Sequence, residues 1–281
     1  MIDFHTHPVM IKELLDSDPQ LAHAIRDVFG FYFPPQPLEI FLLEMDAAGV
    51  ERAVLLPIDA TTAHGCCIVS NEQVARLVEE QPRFIGFASV DPNLPDSAYK
   101  LEGAIDSLGL RGLKLDPALQ NFDLSCETLL QPLLEVCARW QIPILIHCGM
   151  SWIPTGLAAR ANPLLLETNI QTFPTVNFIL AHFAWPWVNE ALMLAIKYPN
   201  VYLDTAILYS GTPQEAYQQV LGQQVGRNVI ERSIREQIVF GTNYPRVDMR
   251  RSVRGLHALS FSEATLSAIS EGTAKRLLRL E

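Results

Sequence analysis

The sequence predicts an α/β protein built as one (β/α)8 barrel, a TIM barrel, over residues 1–281. Eight short apolar runs alternate with helical segments, and no linker of disordered composition divides them. Such uninterrupted apolar strands are typical of a parallel sheet that helices cover. The length also suits this fold, since α/β barrels commonly take about 250 residues. A doubly wound open sheet is the alternative, but its Gly-rich phosphate loop after the first strand is missing.

The predicted elements follow one another in a regular order. A proline stops the first strand, and the helix 38–49 is expected to end at Gly49, since glycine favours the left-handed conformation of a helix end. Asp-Pro pairs stop the strands 84–90 and 111–115. The predicted strands are 2–7, 52–56, 84–90, 111–115, 143–147, 177–182, 201–204 and 237–241. The predicted helices are 38–49, 71–81, 97–108, 127–140, 163–173, 188–198, 213–228, 252–259 and 262–280.

A long insertion, residues 8–37, follows the first strand within this single domain. It combines some helical periodicity over 11–29 with an aromatic and proline-rich stretch, FYFPPQP. Long excursions beside a strand end that bears functional residues commonly form lids or pocket walls. We therefore expect a lid here, and a surface loop with a few anchoring aromatic residues is the alternative.

Composition excludes several classes of partner. The formal net charge is −10, and no basic run is longer than Arg250-Arg251, which argues against nucleic acid and anionic membranes. No apolar run reaches the roughly 20 residues of a membrane helix, and the N-terminus has no signal-peptide pattern. Five irregularly spaced cysteines predict reduced thiols in a cytoplasmic protein. A homodimer is plausible for such a barrel.

Polar side chains stand at the carboxyl ends of the predicted strands. His5 and His7 are two positions apart on an extended strand, so both imidazoles point to one face. In a parallel barrel the other strand ends join the same ring, and four of the seven histidines lie on it. Convergent imidazoles are typical metal ligands, although histidines that only bind loops are the alternative. The further polar ends are Lys114, Asp116, His147, His182, Asp204 and Asn243.

The ordered motifs IDFHTHP, RFIGFASVDP, GLKLDP, PILIHCG, FILAHFAWPW, VYLDTA and IVFGTNYP run the length of the chain. Together they resemble the amidohydrolase-related superfamily, in the branch of metal-dependent hydrolases and of decarboxylases related to aminocarboxymuconate semialdehyde decarboxylase. The resemblance implies that His5, His7 and His147 bind one divalent metal, zinc or alternatively manganese. It also implies that His182 polarises the substrate or handles a proton.

Asn243 departs from this family pattern. The branch usually has an aspartate in a GTDYP-like motif, which binds the metal and accepts a proton from water, whereas this chain has GTNYP. An amide oxygen can still bind a metal, so Asn243 is kept as a metal-binding and catalytic position. It cannot act as a base near neutral pH, and His182, Asp204 or Asp116 would have to do so. The chain could be a natural variant with another base, a natural inactive relative or a laboratory substitution.

Lys114 and several aromatic residues are expected to bind the substrate. A charged Lys114 would pair with a substrate carboxylate, and a carboxylated Lys114 that bridges two metals is the alternative the family offers. Phe33, Trp152 and Tyr244 are the aromatic candidates for contact with a flat substrate, with packing as the alternative.

Three functions follow, each for a small-molecule ligand. The first is a metal-dependent hydrolase that uses metal-activated water on a small ester, lactone or amide, with Asn243 as the reservation. The second is non-oxidative decarboxylation of an aromatic or unsaturated carboxylic acid. The third is a catalytically inactive barrel that binds a metal or ligand.

Overall fold

The computed structural model describes residues 1–206 and 211–280 and has the predicted (β/α)8 architecture. Eight parallel strands stand at or close to their predicted positions, and a short antiparallel hairpin follows the second of them. The strands are β1 (Ile2–Thr6), β2 (Arg52–Leu55), β3 (Ile58–Ala60), β4 (Cys66–Ile68), β5 (Phe84–Gly86), β6 (Leu113–Leu115), β7 (Ile144–Ile146), β8 (Phe178–Leu180), β9 (Val201–Asp204) and β10 (Ile238–Val239).

The strands form two parallel sheets in the orders β1-β2-β5 and β10-β9-β8-β7-β6, and backbone hydrogen bonds join the two. At one seam Ala88 N donates to Gly112 O at 2.7 Å, and Lys114 N donates to Ala88 O at 2.7 Å. At the other, Phe4 N donates to Phe240 O at 2.8 Å. The sheet therefore closes on itself, and all eight carboxyl ends face the same rim.

Side chains alternate between the interior of the barrel and the surrounding helices, as the period of two along a strand requires. On β2, Val54 belongs to the interior cluster and Leu55 to the outer one. Leu277 and Leu278 from the last helix join the interior cluster, and Arg111 donates to the carbonyl of Leu278 beside the start of β6. The last helix therefore closes the amino end of the barrel, opposite the polar rim.

Helices occupy the predicted intervals, although several are shorter or change type. The α-helices are Lys12–Ser17, Pro19–His23, Leu38–Ala48, Thr61–His64, Asn71–Glu80, Ser97–Asp106, Glu127–Trp140, Glu167–Thr172, Val188–Lys197, Pro213–Tyr217, Arg227–Val229, Met249–Ala258, Glu263–Ser267 and Thr273–Leu278. Wider π-helical turns cover Ala24–Val28, Gln218–Gly226, Ile230–Ile234 and Ala268–Gly272. Tighter 3-10 turns cover Ala158–Ala161, Pro163–Leu166, Ala181–Ala184 and Arg235–Gln237. None of the helices in the described part of the chain is long and apolar enough to cross a membrane.

Three local predictions need correction. The segment with Cys66 and Cys67, predicted only as the loop between the strand 52–56 and the helix 71–81, forms β4, which pairs with β3 through Asp59 and Cys67. His7 lies just beyond β1 rather than in it, because the pairing with β2 shifts between Asp3 and Thr6. The helix predicted over 163–173 begins as a 3-10 turn, since the side chain of Asn162 caps Leu164 at a proline. All five cysteines are free thiols, as predicted.

The insertion 8–37 folds back onto the barrel. Lys12 N donates to Gln36 O at 2.8 Å, and Gln36 N donates to Met10 O at 2.7 Å, so the two ends of the insertion run together. Phe29 and Phe31 are buried against the core. The insertion therefore forms part of the wall above the strand ends.

Candidate metal centre

Four imidazoles meet at the carboxyl end of the barrel, and each is buried. We call His5 and His7, which come from β1 and its end, the first histidine pair. His147 follows β7 and His182 follows β8, and these form the second histidine pair. All four line one cavity, the inner cavity, together with Lys114 and Asn243. The structure thus brings together the predicted metal ligands, the predicted proton-handling histidine and the predicted lysine.

In the first pair, the Nδ1 atom of each ring is hydrogen-bonded to an acceptor. His7 Nδ1 lies 2.8 Å from the carbonyl oxygen of Leu56, which can only accept, so this nitrogen carries the proton. His5 Nδ1 lies 2.7 Å from Asp204 Oδ2 and donates to that carboxylate. The two Nε2 atoms, 3.2 Å apart, therefore present their lone pairs to each other. Two neutral imidazoles in this arrangement repel each other unless a cation lies between them.

The second pair repeats this arrangement. His182 Nδ1 donates to the carbonyl of Ala206 at 2.6 Å, and His147 Nε2 donates to the carbonyl of Met150 at 3.1 Å. The remaining nitrogens, His182 Nε2 and His147 Nδ1, face each other at 3.1 Å. Since the rings of His5 and His182 lie 4.9 Å apart, the two pairs share one space. Their unprotonated nitrogens converge as the ligands of a divalent metal would.

Asp204 orients this cluster from behind. Its Oδ1 accepts hydrogen bonds from the backbone N–H groups of His182, at 2.7 Å, and Ala206, at 3.0 Å, while Oδ2 holds His5. His5, His182 and Asp204 also form a group whose ligand-type atoms lie within 4.8 Å of one another. Because both carboxylate oxygens already accept N–H groups, Asp204 fits the role of a carboxylate that fixes a metal-binding imidazole.

Asn243 sits on a tight turn that the first strand positions. Its φ is 60°, and its N–H donates to His5 O at 2.8 Å. Asp3 holds the preceding residue through two hydrogen bonds, from Thr242 N at 3.0 Å and from Thr242 Oγ1 at 2.5 Å. The amide oxygen of Asn243 is buried and has no hydrogen-bond partner among the described residues. An orphaned buried acceptor beside four imidazoles is the second observation that fits a bound cation.

Burial sets the charges of the site. It lowers the pKa of all four imidazoles, and the positive charge of Lys114 lowers the pKa of His5 further, so the rings are neutral and able to bind a metal. Burial also raises the pKa of Asp3 to about 7 and raises the pKa of Asp204 above its ordinary range.

Lys114 is 1% exposed and lines the inner cavity. Burial lowers its pKa, and the carboxylates of Asp116 and Asp204 oppose that change. Within residues 1–206 and 211–280 its ammonium makes no ion pair. A buried cation of this kind favours an anionic ligand in the cavity, because an uncompensated buried charge is costly.

The three predicted aromatic contacts lie in different places. Trp152 lines the inner cavity, although 58% of its surface is exposed. Phe33 is 68% exposed and lies outside that cavity, on its outer side. Tyr244 does not line the cavity either: its ring packs against Phe41 at 4.7 Å, on the far side of His7.

Phe29 is a site residue that the sequence analysis did not single out, whereas Arg246 is a candidate from sequence for anion recognition, with a solvated arginine as the alternative. The Phe29 ring packs 5.1 Å from the ring of His7, and the Arg246 guanidinium stacks over Phe29 at 4.4 Å. Arg246 also donates to the carbonyls of Phe29 and Gly30. An arginine just after the GTNYP motif was a visible signal, whereas nothing in the sequence marks Phe29 within its insertion.

Comparison with proteins of known structure agrees with this architecture. An uncharacterised TIM-barrel protein of Bordetella bronchiseptica superimposes with a TM-score of 0.78 at 24% identity, over 99% of this chain and 98% of that one. A 5-carboxyvanillate decarboxylase from Sphingomonas paucimobilis gives a TM-score of 0.65 at 19% identity, over 100% and 99%. A dihydroxybenzoic acid decarboxylase from Polaromonas, with bound manganese and 2-nitroresorcinol, gives 0.66 at 20% identity, over 99% and 96%. These likenesses support the fold.

Sequence comparison gives one short match and one complete match. Protein fluG of Emericella nidulans is 32% identical over 83 residues, which is 30% of this chain and 10% of that protein. This chain therefore matches only about a tenth of that relative's length. The Amidohydrolase family model, in contrast, matches residues 2–280, which include every strand and every residue of the candidate site. The chain belongs to the Amidohydrolase family.

Proposed function

We propose that the protein is a metal-dependent, non-oxidative decarboxylase of a small aromatic carboxylic acid. The observation that carries the proposal is the inner cavity itself, where the buried ammonium of Lys114 and four neutral imidazoles lie together and position 243 holds an amide in place of a carboxylate. An anionic substrate suits this cavity better than a neutral one does. The decarboxylases of aromatic acids among the structural relatives support the same reading.

His5, His7 and His147 are proposed to hold the metal, with the amide oxygen of Asn243 as a fourth ligand. The separation of 3.2 Å between the two Nε2 atoms of the first pair suits a shared metal, because two ligands at about 2.0–2.1 Å in tetrahedral geometry lie about 3.3 Å apart. Zinc and manganese both accept this donor set. Once bound, the metal supplies Lewis acidity that orients the oxygens of the substrate.

The chain's own residues are proposed to do the rest. Lys114 Nζ pairs with the carboxylate that is lost, and Phe29 and Trp152 enclose the ring of the substrate. His182 Nε2, unprotonated in the free site, takes up one proton from solvent and delivers it to the ring carbon that bears the carboxylate, while its Nδ1–H stays bound to Ala206. The bond between that carbon and the carboxylate then breaks, its electron pair returns to the ring, and CO2 leaves. The net reaction consumes one proton and needs no oxidant.

Hydrolysis, the reaction that the sequence analysis ranked first, becomes the second choice. It requires a base that accepts the proton of the attacking water, and the family's usual carboxylate is replaced here by Asn243. Asp204 has both oxygens engaged with N–H groups. Asp116 accepts the N–H of Leu119 at 3.0 Å with Oδ1, so only its Oδ2, 3.7 Å from His147 Nδ1, could take this proton. Decarboxylation makes no such demand for a base.

The test compares both reactions on one preparation. Protein loaded with manganese or zinc is incubated with 2,6-dihydroxybenzoate and with 5-carboxyvanillate, and CO2 release is followed together with the NMR signal of the new ring proton. A panel of aryl esters and lactones is assayed in parallel. We expect CO2 release that depends on the metal, and no hydrolysis.

Two variants act as controls. His182→Asn should keep the metal and lose about 10²–10⁴-fold in turnover, the usual range for loss of a general acid. His23→Ala, whose side chain is 70% exposed, should change neither. Hydrolysis of the panel without CO2 release would favour the hydrolase, and metal binding without either reaction would favour the inactive barrel.

A further inference from the structure

A second, larger cavity opens directly above the inner one. This outer cavity is lined by the tip of the insertion (30–33), by Trp152, by residues 211–213, and by the segment 246–248 together with Arg251. Trp152 and Arg246 line both cavities. A ligand bound in the inner cavity therefore meets the outer one at these two side chains.

The outer cavity concentrates exposed aromatic surface. Tyr32 is 75% exposed, Phe33 68% and Trp152 58%, and all three border this one cavity. The group is anchored from below, because the buried Phe31 contacts the ring of Phe33 at 5.1 Å. Soluble proteins seldom group exposed aromatic rings around a concave surface without a ligand for them. The arrangement points to a flat partner.

The same cavity carries two guanidinium groups in a protein whose net charge is −10. Arg246 is held over Phe29 and lies 5.9 Å from the ring of Phe31. Arg251 is on the first turn of the helix Met249–Ala258. The nearby carboxylate of Asp248 caps that helix through Arg251 N at 2.9 Å, which commits one of its oxygens. The cavity therefore favours an anion on a flat group.

We propose that the outer cavity is a second substrate subsite, which binds a distal planar group bearing an acidic substituent. This inference deepens the proposed function and rests on it: the preferred substrate is an elongated aromatic acid. Its reacting ring lies in the inner cavity, and its second acidic ring lies between Tyr32, Trp152 and the two arginines. Single-ring acids would bind only the inner part.

Calorimetry on manganese-loaded protein tests this directly, because binding is measured without turnover. The two probes are salicylate and 5-(carboxyphenyl)salicylate, in which the added ring lies para to the hydroxyl group. We expect the longer probe to bind at least roughly tenfold more tightly, since ring stacking and a cation–π contact together are worth about that factor.

Matched variants locate the effect. Arg251→Met and Tyr32→Ala should each remove most of the preference for the longer probe and leave the affinity for salicylate unchanged. The controls are Arg254→Met, an exposed arginine on the same helix that does not line the cavity, and Tyr99→Ala, an 81% exposed tyrosine elsewhere. Both controls should keep the preference.

The outcomes separate this inference from the proposed function. Equal affinity for the two probes, a preference that persists in the Arg251→Met and Tyr32→Ala double variant, or no binding of the longer probe would overturn the subsite. If the longer probe binds more tightly and neither probe releases CO2, the subsite stands and the decarboxylase proposal fails. If salicylate is decarboxylated and the longer acid is not preferred, the decarboxylase proposal stands and the subsite fails.

Discussion

The two histidine pairs are chemically alike but are held by different parts of the molecule. In the first pair, a carboxylate on β9 and a carbonyl beside β2 fix the rings, at 2.7 and 2.8 Å. In the second pair, the fixing acceptors are the carbonyls of Met150 and Ala206, which lie in loops. Asp204 reaches this pair only through the backbone N–H of His182, and the carboxylate beside the ring of His147, Asp116, is 3.7 Å away. The difference indicates that barrel strands preorganise one half of the site and loops preorganise the other.

Removal of a proposed ligand from the first histidine pair, which strands hold, should have the largest effect on metal affinity. His5→Ala is expected to weaken metal binding by more than about 100-fold, beyond the range of changes to residues that only orient a ligand. Elemental analysis and competition with a chelator would measure the loss. His7→Ala checks that the result is not a folding defect, because it leaves the His5–Asp204 pair intact. Full metal occupancy in both variants would contradict the ligand assignment.

Loss of the orienting carboxylate should come next. Asp204→Asn keeps the side chain's size but weakens the hold on His5 Nδ1, and we expect metal affinity to fall by about 10–100-fold. The chelator competition measures it, with Asp96→Asn, on an exposed aspartate, as the matched control. A loss equal to that of His5→Ala would mean that Asp204 itself binds the metal.

Restoration of the family's usual carboxylate at position 243 should raise metal affinity rather than lower it. Asn243→Asp adds a negative charge at the orphaned oxygen, so metal affinity should rise on the order of tenfold. The same chelator titration reports it, and ester hydrolysis is assayed alongside. Unchanged affinity would indicate that the position 243 side chain does not reach the metal.

The smallest effect on metal affinity is expected at the second histidine pair, which loops hold. Asp116→Asn removes a carboxylate that stands 3.7 Å from His147, too far for a strong hydrogen bond, so metal affinity should change by less than about threefold. A loss as large as that of Asp204→Asn would show that carboxylates fix both pairs, and would remove the contrast between them.

Sequence reasoning predicted the fold and the ring of polar strand ends because both depend on simple periodicity. Apolar runs and their terminal histidines fix which residues reach the rim, and His5, His147 and His182 are there as expected. The backbone carbonyls that select the protonated nitrogen, such as that of Leu56, leave no trace in the sequence. Phe29 was missed for a related reason, since its place against His7 depends on how the insertion folds back. Tyr244 shows that a neighbour in sequence need not share the site, because it follows Asn243 yet faces away from the cavity.

The seam at which the barrel closes runs through the candidate metal site. Asp3 and Thr242, hydrogen-bonded to each other, are 239 positions apart, and they place His5 and Asn243 on either side of the closure. Asn243 reaches His5 only when the barrel closes, so this part of the site forms together with the closure. A cation bound there would stabilise the closed barrel relative to the open chain by mass action. Metal binding would then require, and report, a closed barrel.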